Sequence, residues 1–244
     1  MNLRVRVRRV IATVVATVAI GALALASASS LGGVVGATLL AGTAAATPTV
    51  PAVAGCDDFS KAASTGTALV SRPVQLPAAC GAATWTVHVG TWTISTGQLG
   101  ATSANATASI ATGSLTDMTA QTTILNANAT GRTAGVAVDH TGATRTFLLA
   151  IVTGGNTVTL QLSNAGTIST ITSVAATLTA STVLRLTRNG TAVTVSVDGV
   201  SKIAATLTAG QVTTLSSGTR AGLYWNAGST VRFTNFLVTQ PFAP

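Results

Sequence analysis

The chain of 244 residues has no glutamate, and its acidic residues are five aspartates, Asp57, Asp58, Asp117, Asp139 and Asp198. Glycoside hydrolysis commonly needs two carboxyl groups about 5–10 Å apart. Any such pair here must come from Asp117, Asp139 and Asp198. Asp198 precedes Gly199 and is explained by turn chemistry alone. Asp139 adjoins His140, but neighbours on a strand point to opposite faces, and no nucleophile-elbow motif accompanies them. The expectation is therefore a protein that is not an enzyme. Cysteine is nearly absent too: Cys56 and Cys80 alone form no metal-binding cluster, and His88 and His140 add no ligand spacing. Charged residues make up only 7% of the chain. Four of its thirteen basic residues (Arg4, Arg6, Arg8, Arg9) crowd the N-terminus, which leaves nine basic residues against five acidic and a net charge of +4 rather than +8. Those nine are dispersed, and a nucleic-acid partner is not expected.

The N-terminus reads as an export signal. Met1 to Arg9 is basic, Val10 to Ala26 is apolar and uncharged, and Ala26-Ser27-Ala28 and Ala44-Ala45-Ala46 both fit small-x-small cleavage sites. Cleavage is expected near Ala46; the rival is an uncleaved anchor, for which Val10 to Ala28 is long enough. The predicted layout is a signal peptide at 1–46, a Pro/Ala linker at 47–55, one domain at 56–240 and a short tail at 241–244. The protein is expected to be secreted or held at the cell surface, with no membrane contact after cleavage. High Ala, Gly, Val and Thr, with Arg exceeding Lys, suggests a bacterial source. In an exported chain Cys56 and Cys80 are expected to pair, closing a loop of about 25 residues worth roughly 3–4 kcal/mol in the chain-entropy account. The alternative is a lipobox at Val53-Ala54-Gly55-Cys56, with Cys56 lipidated.

Proline is confined to positions 48, 51, 73, 77, 241 and 244. Paired strands exclude proline, so the Pro-free stretch 78–240 is compatible with extensive sheet. Alternation supports this at Trp85/Val87/Val89, Val136/Val138, Phe147/Leu149/Ile151, Val158/Leu160/Leu162, Leu184/Leu186 and Val193/Val195/Val197. Gly154-Gly155-Asn156, Asn164-Ala165-Gly166, Asn189-Gly190 and Asp198-Gly199 supply turns that tolerate positive φ. No helical periodicity is found beyond the leader. The predicted fold is all-β, an antiparallel two-sheet sandwich of roughly a dozen strands.

Several short motifs recur in a telling order: Asp57-Asp58-Phe59-Ser60, Trp85, Gly90-Thr91-Trp92, Gly97-Gln98-Leu99, Ala134-Gly135-Val136 and Leu160-Gln161-Leu162. The end adds Leu184-Arg185-Leu186, Asn189-Gly190, Val195-Ser196-Val197-Asp198-Gly199, Ala221-Gly222-Leu223-Tyr224 and Arg232-Phe233-Thr234-Asn235-Phe236. Over about residues 57–238 this resembles bacterial secreted domains of the laminin-G-like, concanavalin A-like jelly-roll superfamily. The resemblance implies adjacent first and last strands, with Phe59 near Phe233 and Phe236. It also implies a lectin-like role with no required cofactor; calcium, which such sandwiches often hold at a rim, is the optional one, with Asp117 and Asp139 and Asn126 or Asn128 as the candidates. Two departures stand out. An insertion at about 64–82 carries Cys80, and Thr234 replaces the family's aspartate.

The aromatic residues are read mainly as core, with Tyr224, Trp225 and Trp92 as candidate ligand contacts. Leu223 shares parity with Trp225, so Tyr224 is the residue expected to face outward. The leading expectation is a non-catalytic module that binds a glycan or other extracellular polymer. The alternatives are a structural or adhesive protein that self-associates and, behind it, a glycoside hydrolase-like enzyme.

Overall fold

The computed structural model describes residues 52–60, 67–69, 83–113, 115–226 and 231–241. The chain divides into two units, Met1–Ala46 and Thr47–Pro244, and every described residue belongs to the second. The leader, both of its cleavage motifs and Cys80 lie outside the described residues.

In chain order the strands are β1 (Val53–Asp57), β2 (Thr67–Ala68), β3 (Trp85–Val89), β4 (Trp92–Ser95), β5 (Gln98–Ala101), β6 (Ala106–Ala111), β7 (Met118–Leu125) and β8 (Thr133–Val138). They continue with β9 (Phe147–Thr153), β10 (Thr157–Asn164), β11 (Thr167–Ala175), β12 (Ser181–Asn189), β13 (Ala192–Val197), β14 (Val200–Thr206), β15 (Arg220–Trp225) and β16 (Arg232–Thr239). One nine-stranded sheet runs β14-β13-β12-β7-β16-β5-β4-β2, with β1 also paired to β16. A seven-stranded sheet runs β11-β10-β9-β8-β15-β6-β3. All pairings are antiparallel. The all-β sandwich is as expected, with more strands than the dozen counted from turns.

Apolar parity places the core between the sheets. Val136 and Val138, Leu160, Leu184 and Leu186, and Val195 are fully buried in one cluster. Strand β9 departs from its predicted parity. Leu148, Ala150 and Val152 face the main core, while Phe147, Leu149 and Ile151 form a second cluster with Ala137 and Tyr224. Its sequence, Phe-Leu-Leu-Ala-Ile-Val, is apolar on both faces, so alternation could not choose between them.

The first and last described strands meet as expected. β1 pairs with β16, and Trp85 packs against Phe59 and Phe236 at ring-centroid distances of 5.9 and 5.0 Å. The buried Asp57 carboxylate accepts hydrogen bonds from the Phe59 N–H at 2.8 Å and from Trp85 Nε1 at 2.9 Å. That bond explains why an opening Asp-Asp-Phe is followed by a Trp. Phe233 and Phe236 lie three apart yet are both buried, which a regular strand forbids. A register shift between Thr234 and Leu237, with Asn235 at φ 54, inserts a bulge and restores the inward parity.

One element escaped the periodicity reading. Helix α1 (Ala209–Leu215) is seven residues long and opens with a capping box, in which Thr208 Oγ1 accepts from the Gln211 N–H and the Gln211 side chain accepts from the Thr208 N–H.

Candidate functional site

Burial removes the predicted aromatic contacts. Trp92 and Trp225 are each 2% exposed and belong to the main core. Tyr224 does point away from that core, as parity predicted, yet it is only 4% exposed. Its hydroxyl donates to Asn105 Oδ1 at 2.5 Å, and burial raises its pKa. Tyr224, Trp225 and Trp92 as ligand contacts, with Tyr224 as the exposed ring, are therefore corrected, because all three are buried. The outer face of the seven-stranded sheet has its own apolar cluster, and Tyr224 is packed within it.

The aspartates are held by structural bonds. Asp117 Oδ1 accepts from the Gly190 N–H at 2.6 Å and so clips the β12–β13 turn. Asp198 Oδ1 accepts from the Val183 N–H at 2.7 Å, and Asp58 Oδ1 caps Ser60 through both its N–H and its hydroxyl. Asp139 directly follows β8 at φ 55, is fully buried, and pairs with Arg188 from the opposite sheet, Oδ2 to Nη1 at 2.8 Å. Burial lifts its pKa to about 6, although Arg188 opposes the shift. The calcium expectation at Asp117 and Asp139 is corrected on that geometry, because a guanidinium stands where Asp139 would meet a cation. Among the described residues, no three or more His, Cys, Asp or Glu side chains gather into a metal-binding group.

The two histidines form a stack that sequence reasoning missed. His140 lies between His88, at 4.4 Å between ring centroids, and Phe147, at 4.8 Å. Its Nδ1 accepts from the Gly142 N–H at 2.8 Å, so a neutral ring carries its proton on Nε2, which is buried without a hydrogen-bond partner among the described residues. Burial, then the nearby His88, Arg220 and Arg145, lowers its pKa to about 3. His88 Nε2 meets Ser109 Oγ at 2.8 Å, and Arg220 Nε donates to the same oxygen at 2.7 Å. Burial first, and Arg220 second, bring His88 to about 4. A serine beside a histidine suggests a nucleophile, yet Ser109 is fully buried, and burial and Arg220 both lower the basicity of His88. The cluster is a packed polar strut.

A groove of about 510 Å³ opens on the outer face of the nine-stranded sheet. Its floor comes from the alternate positions left over when Leu184, Leu186, Met118, Ala120, Val195 and Val238 turn inward. Pairing registers align Thr194, Thr187, Thr119 and Thr239 in one row across β13, β12, β7 and β16. The next row on that face is Ser196, Arg185, Gln121 and Leu237. Strands lie about 4.8 Å apart, so four of them span roughly 14 Å. The Thr119 and Thr187 hydroxyls are 3.0 Å apart, and Arg185 Nε donates to Gln121 Oε1 at 2.8 Å. Asn189, Ala192, Gln240 and Pro241 complete the lining. Arg185 is its one charged side chain, and no carboxylate contributes. Nothing in the sequence marked this site, because four strands from distant parts of the chain each supply one or two unremarkable polar residues.

The fold is a two-sheet antiparallel β-sandwich with a groove on one outer face. No family model matches the chain, and no curated protein matches its sequence. Among solved structures it is similar to the carbohydrate-binding module CBM66 from Bacillus subtilis, with a TM-score of 0.52, 18% identity, and coverage of 64% of this chain and 95% of that one. It is also similar to the GH43 protein BlXynB from Bacillus licheniformis, with a TM-score of 0.50 and 14% identity over 77% of this chain. It spans only 39% of that protein's length. At these identities the likeness establishes the fold.

Proposed function

We propose that the protein is an exported, non-catalytic glycan-binding module that holds its ligand in the groove of the nine-stranded sheet. The carrying observation is the groove itself, a polar trough of hydroxyl, amide and guanidinium groups on the outer face of the nine-stranded sheet. Such groups match the donors and acceptors of a saccharide. Likeness in fold to a carbohydrate-binding module supports the reading by analogy. The absence of catalysis is supported by the aspartates, each already engaged by backbone or side-chain donors. Export is supported by the leader, and a Cys56–Cys80 disulfide would follow from export. Screening the purified protein on a glycan array tests the reading. Hits should weaken when Thr187 or Gln121 is replaced by alanine, and an array with no hits sinks it.

One observation favours self-association as a second reading. Among the described strands β11, of nine residues, is an edge strand paired only with β10, with one register irregularity, and it carries neither charge nor proline. Natural edges are usually blunted by such residues. Light scattering that stays monomeric over a wide concentration range, and is unchanged by Ser173→Lys, removes that reading.

A further inference from the structure

We infer that the groove selects acidic polysaccharides, with Arg185 receiving a carboxylate of a uronic-acid unit; this rests on the glycan-binding reading above. Arg185 is exposed and lines the groove in the row it shares with Gln121 and Leu237. Gln121 Oε1 accepts from its Nε at 2.8 Å, and among the described residues no hydrogen bond engages the edge formed by its two terminal nitrogens. That edge is a planar fork of two N–H donors, spaced to meet the two oxygens of a carboxylate. Gln121 carries no charge, so the hydrogen bond orients the cation without neutralising it.

The surroundings leave that charge uncontested. No aspartate lines the groove. Asp117 reaches the turn beside the rim residue Asn189, but its carboxylate is turned onto the Gly190 N–H. A second cation shares this face: Arg232 pairs across from Leu125, four residues along β7 from Gln121. By strand geometry it lies roughly 16 Å from Arg185, on the order of a few sugar units. Beside Arg185 the threonine row offers hydroxyls to the neutral positions of the same ligand. A neutral glycan would use the row and leave the guanidinium without a partner of its own charge. A uronan uses both.

Calorimetry should compare polygalacturonate, alginate and hyaluronate with fully methyl-esterified polygalacturonate, which keeps the backbone and removes the charge, and with dextran sulfate. At least one uronan should bind, with affinity falling as salt rises. For polygalacturonate, esterification should cost about tenfold or more, and Arg185→Gln should cost as much for whichever uronan binds. Arg185→Lys, which keeps the charge and loses the fork, should fall between. Equal affinity for ester and acid, or indifference to Arg185→Gln, overturns the inference while leaving glycan binding intact. Preference for dextran sulfate over every uronan overturns the carboxylate assignment. Failure to bind any uronan while neutral glycans on the array still bind overturns it as well, and failure on both removes the glycan reading too.

Discussion

Acidification should destabilise the sandwich from just below neutrality, and His140 should be the main cause. Its ring is 1% exposed and stacked between two others. In the unfolded chain it titrates at 6.5, and in the fold at about 3. Because the folded value is depressed, the stabilising contribution is complete above 6.5 and is lost as pH falls from there towards 3. Each pH unit in that window removes about 1.4 kcal/mol, so roughly 2 kcal/mol is gone by pH 5 and about 5 in all. His88, lowered to about 4, adds a loss of the same sign, discounted because water screens its half-exposed ring. Asp139 works the other way. Its folded value is raised from 3.8 to about 6, so protonation stabilises the fold as pH falls through 6, by roughly 3 kcal/mol in total. Comparing wild type with His140→Asn isolates the ring, because the amide oxygen can keep the Gly142 bond and does not titrate. Urea midpoints at pH 7, 6, 5 and 4 should show wild type losing about 2 kcal/mol more than the variant between pH 7 and 5. Parallel pH profiles for the two proteins would refute the burial argument.

Other expectations follow from single contacts. Arg188→Met leaves the Asp139 carboxylate buried and uncompensated, which should cost about 3–5 kcal/mol at pH 8; because Asp139 is neutral below its value of about 6, urea unfolding should show a smaller penalty at pH 5. Gly135→Ala would place a Cβ 2.0 Å from the Ala150 carbonyl oxygen, and Gly222→Ala one 2.1 Å from that of Ala108. Each should lower the thermal midpoint sharply, by about 3 kcal/mol or more in stability, whereas alanine at Gly113, which meets nothing, should be tolerated better despite its positive φ. Trp85→Phe removes the indole donor to the buried Asp57 and should cost about 1–3 kcal/mol in urea melts. The intact mass of the exported protein should correspond to cleavage after Ala46 and be two hydrogens lighter than the dithiol; an added lipid mass would replace the disulfide with the lipobox reading.

The sheet core was legible in the chain because one-sided burial forces a two-residue period, and Val193, Val195 and Val197 could lie on one face only. The Asp198-Gly199 turn was equally plain, with φ of 50° and 81° for the two residues that join β13 to β14. Strand β9 was not, since both of its faces are buried and both are apolar. The Phe233/Phe236 spacing held a clue to the bulge at Asn235, visible once both rings are required to face inward. Helix α1 offered only Thr208-x-x-Gln211, a boundary signal with too few residues behind it for a period. Tyr224 shows the limit most clearly: parity gave its direction correctly, but exposure depends on what packs over a face, and that is a tertiary property.

The shortage of acid links stability to ligand choice. A chain with many carboxylates can place some at folding joints and still scatter others over a binding face. This one has five, and the fold uses each: Asp57 to tie Trp85, Asp58 to cap Ser60, Asp117 and Asp198 to fasten the turns that flank β13, and Asp139 to join the two sheets through Arg188. None remains to neutralise Arg185 in the groove. Introducing one should therefore act on binding more than on folding. Thr187→Asp, two residues from Arg185 on the same face of β12, should pair with the guanidinium and abolish uronan binding, while leaving the urea midpoint within about 0.5 kcal/mol of wild type. Uronan affinity unchanged by that carboxylate would mean that Arg185 does not read the charge of the ligand.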